Sequence, residues 1–497
     1  MMYELALIFS IVTYVLVSFA FVRSRAFSAF HPLTFYIVFH GFLFVLRPVF
    51  AYLQDFDLVY RLFQFTPSIA DKTTVIVATN LGFVAFALTC WSAGNQAMVF
   101  RNDGVVKAER KRIGSLFPWV FALCAPAGIY ALATTWNSIV ETGFAYSEFV
   151  RDAETGISIS SGMSGYLVES PLMLATCSVI LVWLFRFRLL AFVPLVAFIL
   201  FRAGSGGRGP FIAALGAAGL LYLYEKRRRM PTARVMVALP AIALLFSTVG
   251  TDRGASIRQL FGSDMSHEIS ERYRTEQRAL EGMDFANMEY FEFIVFVVPQ
   301  RSGTYGYFND VLQIVTEPIP RAWWHGKPAG PPFARIRWWN YGRPITMSFS
   351  LPGEGWYSLG WAGVLLWCSL CGWMLGRLYS RFVEGPQSSF QTIAYMVLLS
   401  MLILSFRDGQ LITVLRQGLF YMAPIGLWWA LARLNGIPSV SIVRARIRRR
   451  LPSARNESRS RDPSAPDLPA AVLRRRLALA NQTQTQSVAD PSNQRKT

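Results

Sequence analysis

Apolar residues run along most of this chain in blocks of about 20, separated by short polar clusters; a helix rises about 1.5 Å per residue and a hydrocarbon core is about 30 Å thick. Each block therefore reads as one membrane-crossing helix. The pattern predicts spans over residues 3–22, 33–53, 73–91, 116–136, 166–185, 235–249, 356–378, 390–406 and 411–431. Two shorter apolar arms, Leu189 to Phe201 and Phe211 to Tyr224, bring the count to about eleven, within a range of about 10 to 12. The fold class is an all-α polytopic membrane protein. Each arm has about 13 residues, roughly 20 Å of helix, so the turn between them is expected to dip below the membrane surface. Non-helical backbone at that depth is tolerated only where protein or a water-filled cavity surrounds it, which argues for a site there.

Polar chemistry is concentrated in two places. One is the turn Arg202 to Pro210 between the arms, and the other is a long polar insert from Thr251 to Pro352. The chain divides accordingly into an N-terminal bundle (residues 1–250), a large extracytoplasmic loop (251–355), a C-terminal group of spans (356–432) and a basic tail (433–497). The tail is rich in Arg, Ser and Pro and buries too little apolar surface to fold, so it is expected to lie disordered near anionic headgroups.

Composition supports the membrane reading: of 497 residues, 53% are hydrophobic and only 16% charged, outside the range of soluble domains. The formal charge is +19, and the segment from Arg433 onward, with fourteen Arg and Lys against four acids, holds more than half of it. Basic clusters at one set of loop ends follow the positive-inside rule and give no support to nucleic-acid binding. Arg23 and Arg25 follow the first span, which starts with Glu4; this charge order predicts an uncleaved anchor with its N-terminus outside. By the same parity the acidic Asp55-Phe56-Asp57 loop is outside, the cluster from Arg101 to Arg112 is inside, and so is the C-terminus. The five cysteines all lie in or beside apolar spans, and Cys368 and Cys371 read as two helix cysteines rather than a metal or redox pair.

The turn between the arms contains Gly204, Gly206, Gly207 and Gly209, flanked by Arg202 and Arg208 and followed by Pro210. A formal match to the dinucleotide fingerprint has no meaning without a preceding strand. Exposed backbone N–H groups ahead of a helix start, with two Arg beside them, instead suit a phosphate or diphosphate. In the insert, ten Arg stand against one Lys, a bias toward bidentate contacts with phosphate or carboxylate. The segment Ser266 to Glu281 reads as a surface helix. Phe285 to Val298 is apolar but short, stopped by Pro299, and reads as an interfacial or re-entrant helix, with Glu289 and Glu292 on one face as a general base or, more readily, rim residues.

Further on, Arg321, Trp323, Trp324, His325 and Lys327 form one cluster, and Trp338-Trp339 a second aromatic pair. Paired tryptophans serve as sugar platforms or as interfacial anchors. His325, between Arg321 and Lys327, is a candidate neutral base. Glu354 sits between glycines where the chain re-enters the membrane, and an acid at that depth is a functional candidate. No metal-binding or nucleotide-binding motif accompanies them, and no cofactor is expected.

The arrangement of many spans with one large late outer loop, together with Gly206-Gly-Arg-Gly-Pro210, Ile319-Pro-Arg-Ala-Trp-Trp-His-Gly-Lys-Pro328 and Gly353-Glu354 followed by Tyr357, Gly360 and Gly363, resembles the oligosaccharide repeat-unit polymerases of the O-antigen polymerase (Wzy) type. The resemblance covers roughly residues 190–380 and departs from the family after the acid, where Ser358-Leu-Gly360 stands, and in the basic tail. It implies a GT-C-like membrane glycosyltransferase that polymerises undecaprenyl-diphosphate-linked repeat units at the outer face of the bacterial cytoplasmic membrane. Its partners would be those lipid-linked glycans, the bilayer and a chain-length regulator. Arg202, Arg208 and Arg321 would neutralise the diphosphate leaving group, and Glu354 or His325 would accept the proton of the attacking hydroxyl. An O-antigen ligase differs only in its acceptor; a lipid-linked saccharide flippase would show internal repeats, and none is visible.

Overall fold

The computed structural model describes residues 2–100, 103–142, 165–205, 209–231, 280–316, 319, 323–327, 336–344, 347–385 and 388–437. Among these every regular element is a helix, with no strand. Eight helices are long and apolar enough to cross a membrane: α1 (Met2–Val22), α2 (Pro32–Gln54), α4 (Ile69–Ala93), α6 (Phe117–Val140), the Tyr166–Leu184 region (α7), α11 (Leu351–Glu384), α12 (Ser389–Asp408) and α13 (Leu411–Leu434). The predicted arms are two shorter apolar helices, α8 (Val193–Gly204) and α9 (Gly209–Glu225), the first preceded by a 3-10 turn over Leu189–Phe192. The helix α5 (Asp103–Gly114) joins α4 to α6, and the short α3 (Leu58–Phe63) and the helix α10 (Asn287–Val297) complete what frames the sites below. The expected span at 235–249, most of the 266–281 helix and the tail from residue 438 lie outside the described residues.

Local sequence explains where these helices start and stop. Ser68 caps α4 and Ser388 caps α12, each in a reciprocal box with the residue three positions on, Asp71 and Gln391. Pro352 stands in the first turn of α11 and Gly409 ends α12 in a left-handed conformation. α2 is α-helical at both ends and π-helical over Gly41–Leu46, a widening that is frequent at functional sites.

Hydrogen bonds sort the loops into two ends. At one end Arg25 reaches the Asn95 carbonyl at 3.0 Å, Tyr379 the Gln96 carbonyl at 3.0 Å, Arg229 the Met98 carbonyl at 3.4 Å, and the Ala29 amide the Arg229 carbonyl at 2.8 Å. At the other end Glu281 accepts from the Asp57 and Leu58 amides at 3.0 and 3.1 Å, Arg343 N–H donates to the Phe63 carbonyl at 2.9 Å, and Ser350 N–H to the Arg407 carbonyl at 2.9 Å. The basic loop residues thus gather opposite the described part of the insert, which folds onto the Asp55–Phe65 and Arg407–Gln410 turns. A chain whose alternate loops meet at opposite ends is what a multi-pass membrane protein requires.

Candidate active site

The re-entry point of the insert begins at Ser350, which has φ +61° and ψ 164°, a conformation that is costly for a residue with a side chain. Its amide donates to the Arg407 carbonyl, which also accepts from Asn287 Nδ2 at 3.0 Å. A Cβ at Gly409 would collide with the Ser350 carbonyl, so only glycine lets the turn after α12 close on this strained point.

From Ser350 the chain runs into α11, and here the structure corrects the sequence. The span expected to begin at Trp356 starts at Leu351, and it is broken: Leu359 (φ −152°, ψ 24°) and Gly360 (φ +59°, ψ −137°) leave helical geometry. The reason is local. Gly360 occupies a region open to glycine, and its would-be Cβ would lie 2.9 Å from Tyr305 Oη. The first half-helix then folds against the second through Gly355 and Gly363, where any side chain would strike backbone. Carbonyls freed by the break find partners in the insert: Tyr357 O accepts from Gly306 N–H at 2.8 Å and Ser358 O from Tyr307 N–H at 3.0 Å.

Glu354 lies on this first half-helix and is 1% exposed. Its Oε2 has no hydrogen-bond partner, and the hydroxyls of Ser350 and Ser358 beside it in the chain are also unpaired. Asp310, from the short helix Asn309–Thr316, is buried and near enough for the two carboxyls to repel when both are charged. Gln410 Nε2 donates to Asp310 Oδ2 at 3.3 Å. Burial pushes the Asp310 carboxyl up to about 6 in spite of that bond. Trp338, Phe349 and Tyr357 pack ring against ring beside the half-helix, with centroids 5.2 to 5.7 Å apart. Two carboxyls in a water-poor setting, one with an unsatisfied oxygen, can hold and pass a proton.

The other sequence candidates are placed differently. Arg202 lies in the last turn of α8 and is 1% exposed. Gly209 starts α9, where a Cβ would come 2.7 Å from Leu404 of α12, so this glycine also serves helix packing. Gly206, Gly207, Arg208 and Arg321 lie outside the described residues. Trp323 and His325 are exposed and Trp324 half-buried; no hydrogen bond or ring contact joins any of these three to Glu354. Lys327 donates to the Ile319 carbonyl at 3.2 Å. The buried acid is therefore not brought together with the exposed histidine.

Glu289 and Glu292, expected at a rim, are 3% and 2% exposed. Glu289 is ion-paired with Arg47 of α2, and Glu292 accepts from Tyr60 Oη of α3 at 2.6 Å. Sequence reasoning missed Asp310 and Arg47. Arg47 had a signal, a lone cation inside the apolar run Phe42 to Leu53; Asp310 had none. Among the described residues no group of side chains is arranged to hold a metal ion. No family model, curated protein or solved structure matches the chain.

Proposed function

We propose that the protein is a multi-pass membrane glycosyltransferase of the repeat-unit polymerase type. It transfers a growing glycan from its polyprenyl diphosphate carrier to a hydroxyl of the next lipid-linked unit. The observation that carries this reading is Glu354: a fully buried acid with an unpaired oxygen, on a half-helix broken open at Gly360 and facing the polar insert. In the transfer, Glu354 accepts the proton of the attacking hydroxyl as the new glycosidic bond forms. The bond from the donor sugar to the diphosphate breaks, and the leaving diphosphate takes the electron pair. Arg202 stabilises that developing charge, together with Arg208 and Arg321. In this proposal Asp310, the second buried carboxyl, assists Glu354 in holding the proton.

In this reading the arms α8 and α9 and the segment 235–249 also span, giving eleven crossings. The end bearing Arg23, Arg25 and Arg229 then faces the cytoplasm and the insert faces outward. The fitting experiment is deletion of the gene and complementation with a Glu354→Gln variant of equal membrane abundance, followed by gel analysis of the surface glycan. Single repeat units without a polymer ladder are expected; a normal ladder with Glu354→Gln overturns the role. Polymer retained on its lipid carrier would mean a ligase, and carrier-linked units trapped inside would mean a flippase.

A further inference from the structure

The ends of α7 and α9 meet, and both are basic. Each helix closes with an amide that reaches back five residues, Phe187 N–H to the Val182 carbonyl and Arg228 N–H to the Leu223 carbonyl, both at 2.9 Å. Arg186, Phe187 and Arg227 take left-handed conformations to make these turns. The Phe187 ring packs edge-on against Tyr222, with centroids 5.4 Å apart, and Lys226 Nζ lies 5.8 Å from the centre of the same Tyr222 ring. This contact brings Arg186 and Arg188, on either side of Phe187, to one patch with Lys226, and Arg228 follows two residues on.

The patch has no matching acid. Glu225 beside it is ion-paired with Arg110 of α5 and accepts from Trp183 Nε1 at 3.0 Å, and Arg229 donates to the Met98 carbonyl. Arg186, Arg188, Lys226 and Arg228 are exposed, and among the described residues no ion pair joins any of them to an acid. Cations at a helix C-terminus complement the helix dipole, but each end offers only about half a negative charge, so two ends leave a surplus of about three positive charges.

An apolar stripe begins at the same turn. Leu189 and Leu190 are 88% and 85% exposed, and Val193 and Val196, also exposed, follow Leu189 at helical spacing along α8. Apolar side chains this bare are stable against hydrocarbon and costly against water. The stripe therefore lies against acyl chains, and the cations stand where headgroups begin. A zwitterionic headgroup brings no net charge to offset the surplus. An anionic one does, and its phosphate oxygens suit guanidinium and ammonium donors.

We propose that this edge of the bundle is a binding site for an anionic phospholipid, its phosphate held by Arg186, Arg188 and Lys226 and one acyl chain lying along Leu189, Leu190 and Val193. The inference rests on the chain crossing a membrane and not on the transfer reaction assigned to Glu354.

The test is native mass spectrometry of the full chain in detergent micelles, titrated with phosphatidylglycerol, with phosphatidylethanolamine of the same acyl chains, and with glycerol 3-phosphate as a soluble anion. Phosphatidylglycerol should bind most tightly of the three. Arg186→Gln with Arg188→Gln should weaken it about 30-fold, the effect of two cations at a headgroup. Arg377→Gln with Arg381→Gln, which removes two exposed cations from the last turns of α11, should leave it unchanged. The basic tail is present in every form and drops out of the comparison. Because the readout is lipid binding, a failed polymerase reading leaves this result untouched. The proposal is overturned if the two lipids bind alike, if glycerol 3-phosphate binds as tightly as phosphatidylglycerol, or if the Arg186, Arg188 double variant loses no more affinity than the Arg377, Arg381 one.

Discussion

Arg47 and Glu289, separated by 242 residues in sequence, form an ion pair whose side chains are 1% and 4% exposed. Arg47 also donates to the Leu280 carbonyl at 3.0 Å and to the Glu281 carbonyl at 3.3 Å. One guanidinium thus ties the second long helix to the insert at three points. Removing a single partner strands a buried charge, which costs about 3–5 kcal/mol. Arg47→Met should lower stability by that order, and the double variant Arg47→Met, Glu289→Met should recover part of it. Reversible unfolding in mixed micelles measures both; a double variant no better than the single one would contradict the pairing.

The fold of α11 depends on two glycines that touch. A methyl group on Gly363 would collide with the Gly355 carbonyl, whereas nothing lies within 4 Å of a Cβ on Gly219 in α9. Gly363→Ala is expected to reduce folded protein in the membrane severely, and Gly219→Ala to leave it unchanged. Fluorescence-detected size exclusion of tagged variants reads this directly, and equal monodisperse yields would refute the close approach.

Stability should fall as pH rises through the weakly acidic range. Burial pushes the Glu292 carboxyl from 4.5 up to about 7, with Lys72 pulling it down and Glu289 pushing it up. The folded state therefore holds its proton at pH values where the unfolded chain has lost it. That contribution is fully present below the unfolded value and is lost as pH climbs to the folded one, with a slope of at most about 1.4 kcal/mol per pH unit. Asp310, pushed up to about 6, acts in the same direction. The melting temperature should drop between about pH 4 and about pH 7, less steeply in Glu292→Gln; an identical slope in that variant would remove Glu292 as the cause.

Under the proposed reaction, Arg202 offers charge to the leaving diphosphate. Loss of one such group typically lowers turnover about 100-fold to 1,000-fold. Arg202→Met should reduce polymer formation from lipid-linked units in nanodiscs by that order, with Arg202→Lys intermediate because it keeps the charge and loses the fork. Full turnover in Arg202→Met would remove the residue from the reaction.

The neighbourhood of Glu354 shows how far local pattern reaches. Gly353, Gly360 and Gly363 stand around the acid among the residues that carry the family resemblance. The break itself needed Tyr305 and the amides of Gly306 and Tyr307, which arrive from a different part of the chain to take up the freed carbonyls. His325, between Arg321 and Lys327, was the alternative to Glu354 as the base. It is exposed where Glu354 is buried, and proximity in sequence gave no information about depth.

The sequence by itself determined the helical, membrane-crossing class, the spans at both ends of the chain and the two short arms, because transfer of about 20 consecutive apolar residues into hydrocarbon is a sum over local side chains. It also singled out Glu354 and Arg202, since ionisable groups inside apolar runs are rare. Only the tertiary structure decided that Glu354 lies near Asp310, that Arg47 meets Glu289 and that Glu292 and Lys72 line one cavity. Those pairings join segments that are far from adjacent in sequence, up to 242 residues apart for Arg47 and Glu289, and their energies depend on burial and on the partner's position, neither of which is written in any window of the chain.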